Sequence, residues 1–333
     1  MRSLLPFSFC ILWMTAVLCI SCRASANEIP DGPAAADDLQ AAVQTDVPSI
    51  VLSPRMPDRL SFAGEEVPLQ MFDVSEALEK ELIVNAYLHS STLQCIKRAA
   101  RFFPAIEPIL KANGIPDDFK YLCVIESSLT QAVSPAGAAG FWQFMKTTAA
   151  EYGLEVTTEV DERYNIDLST VAACRYLQSA RDQFGSWTMA AAAYNMGKAG
   201  AARQVRRQRV GNYYDLLLND ETARYVYRIL ALKVIMEHPE TYGFTLRPEE
   251  RYAPIPCDTV KVSTPVTDLV KFAFDHGINY KTLKIMNPWL RETTLSNKRG
   301  KTYRILIPEA GFRPSVSEML DEAGIRKIES AQP

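Results

Sequence analysis

Histidine is scarce in this chain of 333 residues, which contains three, at positions 89, 238 and 276. They lie far apart without the spacing of metal ligands, and none falls between residues 126 and 226, where the motifs described below are found. This distribution argues against a metal centre and against a Ser-His-Asp or Cys-His nucleophile. We therefore expect neither a metal nor another cofactor.

Closely spaced cysteine pairs are missing from the part of the chain that follows residue 26. Four of the seven cysteines lie there, at positions 95, 123, 174 and 257, with wide and irregular spacing. Cys95, Cys123 and Cys174 lie in apolar helical patterns, which favours buried free thiols. A disulfide stays open as an alternative in an oxidising compartment.

The chain also lacks an excess of positive charge. It has 36 basic and 39 acidic residues, for a net charge of −3. Residues 1–26 contribute two arginines and no acid, so the remainder has 34 basic against 39 acidic residues, a balance of −5. Nucleic acid is not expected as a partner at this balance.

The first 26 residues have the features of a signal peptide. Arg2 precedes an apolar run over residues 4–20, and Ala24-Ser25-Ala26 supplies a small-x-small cleavage pattern. This predicts export to the periplasm or cell envelope. Two alternatives would attach the N-terminus to a membrane: an uncleaved anchor, since the run is nearly long enough to span a bilayer, and lipidation at Cys22.

Composition and periodicity divide the rest of the chain. Residues 27–70 contain several prolines and no sustained periodicity, which predicts a flexible linker. Helical patterns then fill residues 71–245, starting at Asp73 with Glu76 as a capping-box-like pair. Further helices are predicted from Leu93 to Ala112, from Pro116 to Glu126, at 169–184 with Ser169 as cap, at 187–196 and at 221–237.

A second unit is predicted at residues 256–310, after a proline-rich stretch. Strand patterns at 259–262 and 303–307 flank helical patterns at 267–276 and 280–286. That order is typical of a small α+β unit, and the tail at 311–333 is polar. The expected fold class is thus mainly α with a small α+β module.

Glu126 is the first candidate for chemistry. It follows the apolar residues 122–125, and burial against such neighbours raises a carboxyl pKa, as protonation of a sugar leaving group requires. Residues 134–145 then combine small residues with Trp142 and Gln143, and sugars bind by stacking on aromatic faces and by hydrogen bonds to amides. Taken singly, these residues are typical of a surface glutamate, core aromatics and a turn.

Together the motifs carry a family resemblance. Residues 126–127, 137–145, 193–197 and 221–226 resemble, in order, the four motifs of the soluble lytic transglycosylase domain, of the membrane-bound lytic transglycosylase D type. The resemblance implies a lysozyme-like helical catalytic domain. It also implies cleavage of peptidoglycan between N-acetylmuramic acid and N-acetylglucosamine, with glycan strands as the partner.

The resemblance implies roles for individual residues. Glu126 would be the single general acid and base, which protonates the glycosidic oxygen and then accepts the proton of the C6 hydroxyl as a 1,6-anhydro ring closes. The implied substrate-binding residues are Ser127, Ser134, Gln143, Met145, Tyr194, Asn195, Glu221 and Tyr225.

Other acids and two departures from the family pattern need an interpretation. Asp161, Glu162 and Asp167 are interpreted as solvated loop charges with helix-capping roles, not as a second catalytic acid. Residues 129–131 replace an aromatic and Asn-Pro, and Lys146 replaces a proline, which affects the expected groove shape.

Residues 256–310 are similar to a LysM module, which in such enzymes holds N-acetylglucosamine-rich chains. A degenerate module that only packs on the catalytic domain is the alternative. For the whole chain, a hydrolytic muramidase on the same fold and a non-catalytic peptidoglycan-binding protein stay open.

Overall fold

The computed structural model describes residues 51–313. The predicted signal peptide and Cys22, the first part of the predicted linker and most of the polar tail lie outside the described residues. Within the described range the chain is mainly α, which confirms the predicted fold class. The helices of the first domain are α1 (Phe72–Tyr87), α2 (His89–Ala112), α3 (Phe119–Ser127), α4 (Lys146–Glu151), α5 (Ile166–Phe184), α6 (Trp187–Met196), α7 (Lys198–Gln208) and α8 (Asp220–Glu237).

Helix α8 lies at the centre of this domain and packs against α1, α3 and α6. Its buried side chains recur at helical spacing, among them Tyr225, Ile229 and Leu232. Burying one Leu or Ile side chain contributes about 1.5–3 kcal/mol relative to exposure. Four alanines of α6, residues 190–193, are fully buried. Their small side chains let α5 and α8 approach α6 closely.

The described part of the predicted linker is structured from residue 60 onward. Residues Ser61–Phe62 (β1) and Glu65–Glu66 (β2) form a short antiparallel hairpin. Phe62 is fully buried, with its ring 5.1 Å from that of Phe119. The Asp118 carboxylate accepts the Ala63 N–H at 2.7 Å. The prediction of a flexible linker is therefore wrong here, because strands of two residues are too short to produce a periodic pattern.

Several helix ends differ from the predictions while α6 agrees. Helix α1 starts after Met71 without a side-chain cap, so the predicted capping box is wrong. Helix α5 starts at Ile166, because the Asn165 side chain accepts the Leu168 N–H at 3.1 Å, and Ser169 lies buried inside the helix. Helices α4 and α7 were missed, since α4 is short and α7 is mostly polar.

The C-terminal unit has the predicted order of strand, helix, helix and strand: β3 (Cys257–Val262), α9 (Leu269–Asp275), α10 (Tyr280–Met286) and β4 (Tyr303–Pro308). The two strands pair antiparallel from Cys257 opposite Pro308 to Val262 opposite Tyr303. Its core includes three side chains from the helical domain, those of Ala139, Val160 and Tyr164. The unit therefore packs directly on the helical domain.

Two further findings bear on predictions from composition. Cys95, Cys123 and Cys174 are buried free thiols, as their apolar patterns indicate, and Cys257 is half-buried. Among residues 51–313, none of the helices is long and apolar enough to cross a membrane.

Candidate active site

Glu126 lies in the last turn of α3 and faces α8. The hydroxyl of Tyr225 on α8 donates a hydrogen bond to its Oε1, and Tyr225 itself is 2% exposed. Helix α3 ends abruptly, because Ser128 and Leu129 both have positive φ, 52° and 55°. Leu129 is buried, and its core contacts hold a conformation that is costly for a leucine. The helix end thus places Glu126 at a fixed point. We call Glu126, Tyr225 and Arg228 the acid wall.

The surroundings of Glu126 favour its protonated form. Burial raises the pKa of its carboxyl to about 7, and the charge of Glu221 acts in the same direction. The hydrogen bond from Tyr225 and the charge of Arg228 oppose this rise in pKa. Burial outweighs both, so that Glu126 exchanges a proton near neutral pH. A group of this kind can serve as acid and then as base.

Arg228 was not predicted from the sequence. It lies one helical turn after Tyr225, and its Nη2 donates to the Ile125 carbonyl at 3.4 Å. Because Glu221, Tyr225 and Arg228 follow each other at spacings of four and three on α8, helical periodicity could have revealed it.

A cavity of about 440 Å³ opens between α1, α2, α3 and α8, and Arg228 is the residue of the acid wall that lines it. Its lining includes Ile125 and Ser128 next to the acid, together with Glu221, Arg224 and Arg228 from α8. Glu126, Tyr194 and Gln143 are not among its lining residues, so this cavity alone does not bring the acid together with the loop that carries Gln143.

Tyr194 and Asn195 lie at the end of α6, where Tyr194 contacts the loop 131–145 and Asn195 contacts α8. The Tyr194 hydroxyl donates to the Trp142 carbonyl at 2.7 Å. Burial, and then the charge of Glu126, raises the pKa of Tyr194, so its hydroxyl stays a donor. Asn195 donates to the Glu221 carboxylate at 3.1 Å. Asn195 and Glu221, each predicted to bind substrate, are therefore in direct contact.

Residues 131–145 form the loop wall, and its three aromatic side chains, Phe141, Trp142 and Phe144, are buried in the main helical core. Gln143 has φ of 48°, and its Nε2 donates to the carbonyls of Ala132 at 2.9 Å and Gly140 at 2.8 Å. The Ser134 hydroxyl accepts the Ala138 N–H at 3.0 Å. Met145 is 42% exposed. The loop wall is thus stabilised internally by hydrogen bonds to main-chain groups.

Residues 155–164, which we call the bridging segment, contact the loop wall through Arg163. The Arg163 guanidinium donates to the carbonyls of Gly137 at 2.9 Å and Phe144 at 3.1 Å, and it forms an ion pair with Asp161 at 2.7 Å. A Cβ atom on Gly140 would lie 2.0 Å from the Arg163 carbonyl oxygen. Only glycine allows this close approach. Arg163 was not predicted from the sequence, because it is distant in sequence from both residues whose carbonyls it binds.

The interpretation of the nearby acids needs correction. Asp161 and Glu162 are 6% and 5% exposed, so they are not solvated loop charges. Asp161 does cap the following turn, since it accepts the Arg163 N–H at 3.2 Å. Glu162 accepts the Glu155 N–H at 2.7 Å. Asp167 is exposed in the first turn of α5, as expected.

The structure brings only part of the predicted site together. Glu126 and Tyr225 are in contact, the charge of Glu221 raises the pKa of Glu126, and the charge of Glu126 raises the pKa of Tyr194. Ser127 is 6% exposed, and its hydroxyl donates to the Cys123 carbonyl at 3.2 Å. That placement does not suit a substrate-binding side chain.

Comparison with known proteins agrees with this geometry. Residues 104–216 match the transglycosylase SLT domain, and residues 258–311 match the soluble lytic transglycosylase C-terminal LysM-like domain. The chain contains a transglycosylase SLT domain. The resemblance predicted from the motifs is thereby confirmed. The SLT match includes Glu126, Gln143 and Tyr194 but ends before α8, although α8 belongs to the same core.

Two curated relatives are similar to most of the chain. Membrane-bound lytic murein transglycosylase D of Escherichia coli strain K12 is 30% identical over 261 residues, which is 76% of this chain. The protein of the same name from Escherichia coli O6:H1 strain CFT073 gives the same values. The chain spans about half, 56%, of the length of these relatives.

No group of three His, Cys, Asp or Glu side chains within residues 51–313 is arranged to hold a metal ion.

Proposed function

We propose that this protein is a peptidoglycan lytic transglycosylase that cleaves the β-1,4 bond between N-acetylmuramic acid and N-acetylglucosamine. The observation that carries the proposal is Glu126, whose pKa burial raises to about 7, bonded to Tyr225 and inside the region that matches an SLT domain. The names of the curated relatives support the same activity.

In the proposed reaction, protonated Glu126 donates its proton to the glycosidic oxygen, and the bond from that oxygen to the anomeric carbon breaks. The acetamido oxygen of the substrate stabilises the cationic carbon. Glu126, now a carboxylate, accepts the proton of the C6 hydroxyl, whose oxygen bonds to the anomeric carbon and closes the 1,6-anhydro ring. The proton balance closes without water.

The proposed reaction needs one carboxylate, and Glu126 supplies it. Retaining glycosidases place two carboxyl groups about 5–5.5 Å apart. Here the acid whose charge acts on Glu126 is Glu221, which is exposed and accepts a hydrogen bond from Asn195. In the proposal Glu221, Asn195 and Tyr194 bind substrate, with Gln143, Ser134 and Met145 on the opposite side.

Tyr225 has a different proposed role from the one that the resemblance implies. It is buried and bonded to Glu126, so it orients the acid and does not form an open wall of the groove. Ser127 is omitted from the proposed substrate contacts because its hydroxyl is bonded to its own helix.

The proposed location is the cell envelope, reached through the leader predicted at residues 1–26. The relatives are described as membrane-bound, which supports an envelope location for this chain. Attachment through the N-terminus is tested by fractionating cells that express the chain with Cys22→Ala beside the unaltered chain.

Mass spectrometry of digested sacculi tests the proposed reaction. A lytic transglycosylase releases muropeptides with anhydro ends, which are lighter by one water than the products of a muramidase. Anhydro ends are the expected result. Hydrated ends would assign hydrolysis, and binding to sacculi without release would assign a non-catalytic binding protein.

A further inference from the structure

The C-terminal unit is joined to the bridging segment by main-chain hydrogen bonds. The Asp161 N–H donates to the Trp289 carbonyl at 2.9 Å, and the Arg291 N–H donates to the Glu159 carbonyl at 2.8 Å. Between them Val160 and Leu290 form an antiparallel bridge. Residues 289–291 therefore continue the backbone pairing of the bridging segment.

Side chains reinforce this pairing. The Glu159 carboxylate accepts hydrogen bonds from the hydroxyl and N–H of Ser296 and from the Thr294 hydroxyl. The bonds from Ser296 lower the pKa of Glu159, as expected for a carboxylate that is held by donors. The Arg291 guanidinium lies 4.3 Å from the centre of the Tyr164 ring.

Two buried acids of the bridging segment are neutralised from the C-terminal unit. Glu155 and Glu162 are each 5% exposed. The Lys301 ammonium lies 2.8 Å from Glu155 and 3.3 Å from Glu162, and Arg299 lies 3.6 Å from Glu155. Within residues 51–313 these are the cations that pair with the two acids. A buried carboxylate without a cation is strongly unfavourable, so the geometry of the segment depends on Lys301.

The same segment holds the loop wall. Arg163 follows Glu162 directly and binds the loop wall at two points, the carbonyl of Gly137 in its middle and that of Phe144 near its end. Gln131 donates to the Tyr164 carbonyl at 3.0 Å. Ala139 of the loop wall is 1% exposed in the core of the C-terminal unit. A continuous set of contacts thus leads from Lys301 to the loop that carries Gln143 and Met145.

We propose that the C-terminal unit is a positioning element for glycan binding, in which Lys301 holds the bridging segment and, through it, the loop wall. This inference rests on the proposed function for its activity test. It assigns to residues 289–301 a partner inside the chain, the bridging segment. It also makes Lys301 a positioning residue that acts on binding and not on proton transfer, because Glu126 lies on the other wall.

The test uses the full chain with Lys301→Met, which removes the charge at similar length. Lys301→Arg restores the charge. Lys271→Met is the matched control, because Lys271 pairs with Asp275 on the exposed face of α9 in the same unit. Hydrogen exchange of peptides that cover residues 131–145 is measured for each variant, together with kcat and KM on purified glycan strands.

Lys301→Met is expected to speed exchange in residues 131–145 and to raise KM about five- to tenfold, with kcat and the pH profile little changed. Lys301→Arg should restore both, and Lys271→Met should alter neither. A general loss of folded protein would instead lower kcat at unchanged KM. Unchanged exchange in Lys301→Met, or equal effects of Lys271→Met, would overturn the inference.

A second variant and the exchange measurement cover the cases in which Lys301→Met does not fold or the chain releases no product. If Lys301→Met does not fold, Glu159→Gln weakens the second set of contacts without leaving a charge buried, and the same faster exchange in residues 131–145 is expected. If the unaltered chain releases no product, the proposed function fails. The exchange measurement then still decides whether the C-terminal unit positions the loop.

Discussion

The acid wall and the loop wall are held by different forces. The acid wall consists of side chains on α3 and α8, where Glu126 and Tyr225 are surrounded by the apolar core of the helical domain. The loop wall buries Phe141, Trp142 and Phe144 in the same core, but the rest of it has little regular structure. That part depends on Arg163, Gln143 and Gly140 for hydrogen bonds and close backbone approach. Apolar packing is non-directional, whereas hydrogen bonds to carbonyls depend on position.

This difference separates two properties of the site. The proton affinity of Glu126 is set by burial, which many side chains share, so single surface changes should alter it little. Beyond its buried aromatic side chains, the loop wall is positioned by a few polar groups and by contacts to the C-terminal unit through Ala139 and the bridging segment. Variants on the two walls should therefore affect turnover and binding separately.

The largest effect is expected for Glu126→Gln, which removes the proton donor and keeps the shape of the side chain. Turnover should fall by at least about a thousandfold, since general acid catalysis contributes up to about ten-thousandfold. Binding to sacculi, measured by co-sedimentation, should persist because the loop wall is intact. Glu221→Gln is the control and should lose far less. Full activity of Glu126→Gln would refute the assignment of the acid.

The next largest effect is expected in the loop wall, where alanine is substituted for each of two glycines with similar backbone conformation. Gly140 has φ of 78° and Gly137 has φ of 86°, but only the Cβ of an alanine at position 140 would meet the Arg163 carbonyl. Gly140→Ala should lower the free energy of unfolding by about 2–4 kcal/mol and raise KM. Gly137→Ala should cost about 1 kcal/mol. Equal losses in thermal unfolding would mean that close approach does not hold the loop.

The contacts within the acid wall are easier to predict from the sequence than those of the loop wall, for a physical reason. Residues 221 and 225 share one face of a helix, and a periodic apolar pattern reveals such a face. The same geometry argues against Ser127, because consecutive side chains on a helix point about 100° apart. If Glu126 faces α8, Ser127 must face another way, and it lies buried against its own helix.

The contacts of the loop wall leave no such pattern in the sequence. The bridging segment pairs with residues 289–291 through main-chain groups, which every residue type carries. The hairpin at residues 61–66 joins the core through Phe62 alone among its strand residues. Contacts between segments that are distant in sequence require the fold, although the family resemblance indicates which loop to examine.

A smaller effect is expected for Tyr225→Phe, which tests how the acid wall orients its carboxyl. Loss of the hydrogen bond should lower kcat/KM roughly tenfold through poorer orientation. That bond lowers the pKa of Glu126, so its removal should move the basic limb of the pH profile to higher pH. Tyr194→Phe is the control, because its hydroxyl bonds the Trp142 carbonyl on the loop wall. Its basic limb should not move.

The last prediction concerns the free energy of unfolding as a function of pH, for variants of Glu126 in the acid wall and of Glu159 in the bridging segment. The pKa of Glu126 is raised from 4.5 to about 7 by burial, so its protonated form favours folding below pH 4.5, and this contribution is lost as the pH rises through 7. Glu126→Gln should therefore match the unaltered chain at pH 4 and exceed its free energy of unfolding at pH 8 by up to about 3 kcal/mol.

Glu159 should show the opposite sign. Hydrogen bonds from Ser296 lower its pKa below 4.5, so its ionised form stabilises the fold above that pH, and the contribution is lost as the pH falls through the lowered pKa. Glu159→Gln should thus be less stable than the unaltered chain at pH 8, with the difference shrinking in acid. Urea unfolding at both pH values measures each difference. The same sign for both variants would contradict the distinction between a carboxyl in the acid wall whose pKa is set by burial and one in the bridging segment whose pKa is set by polar contacts.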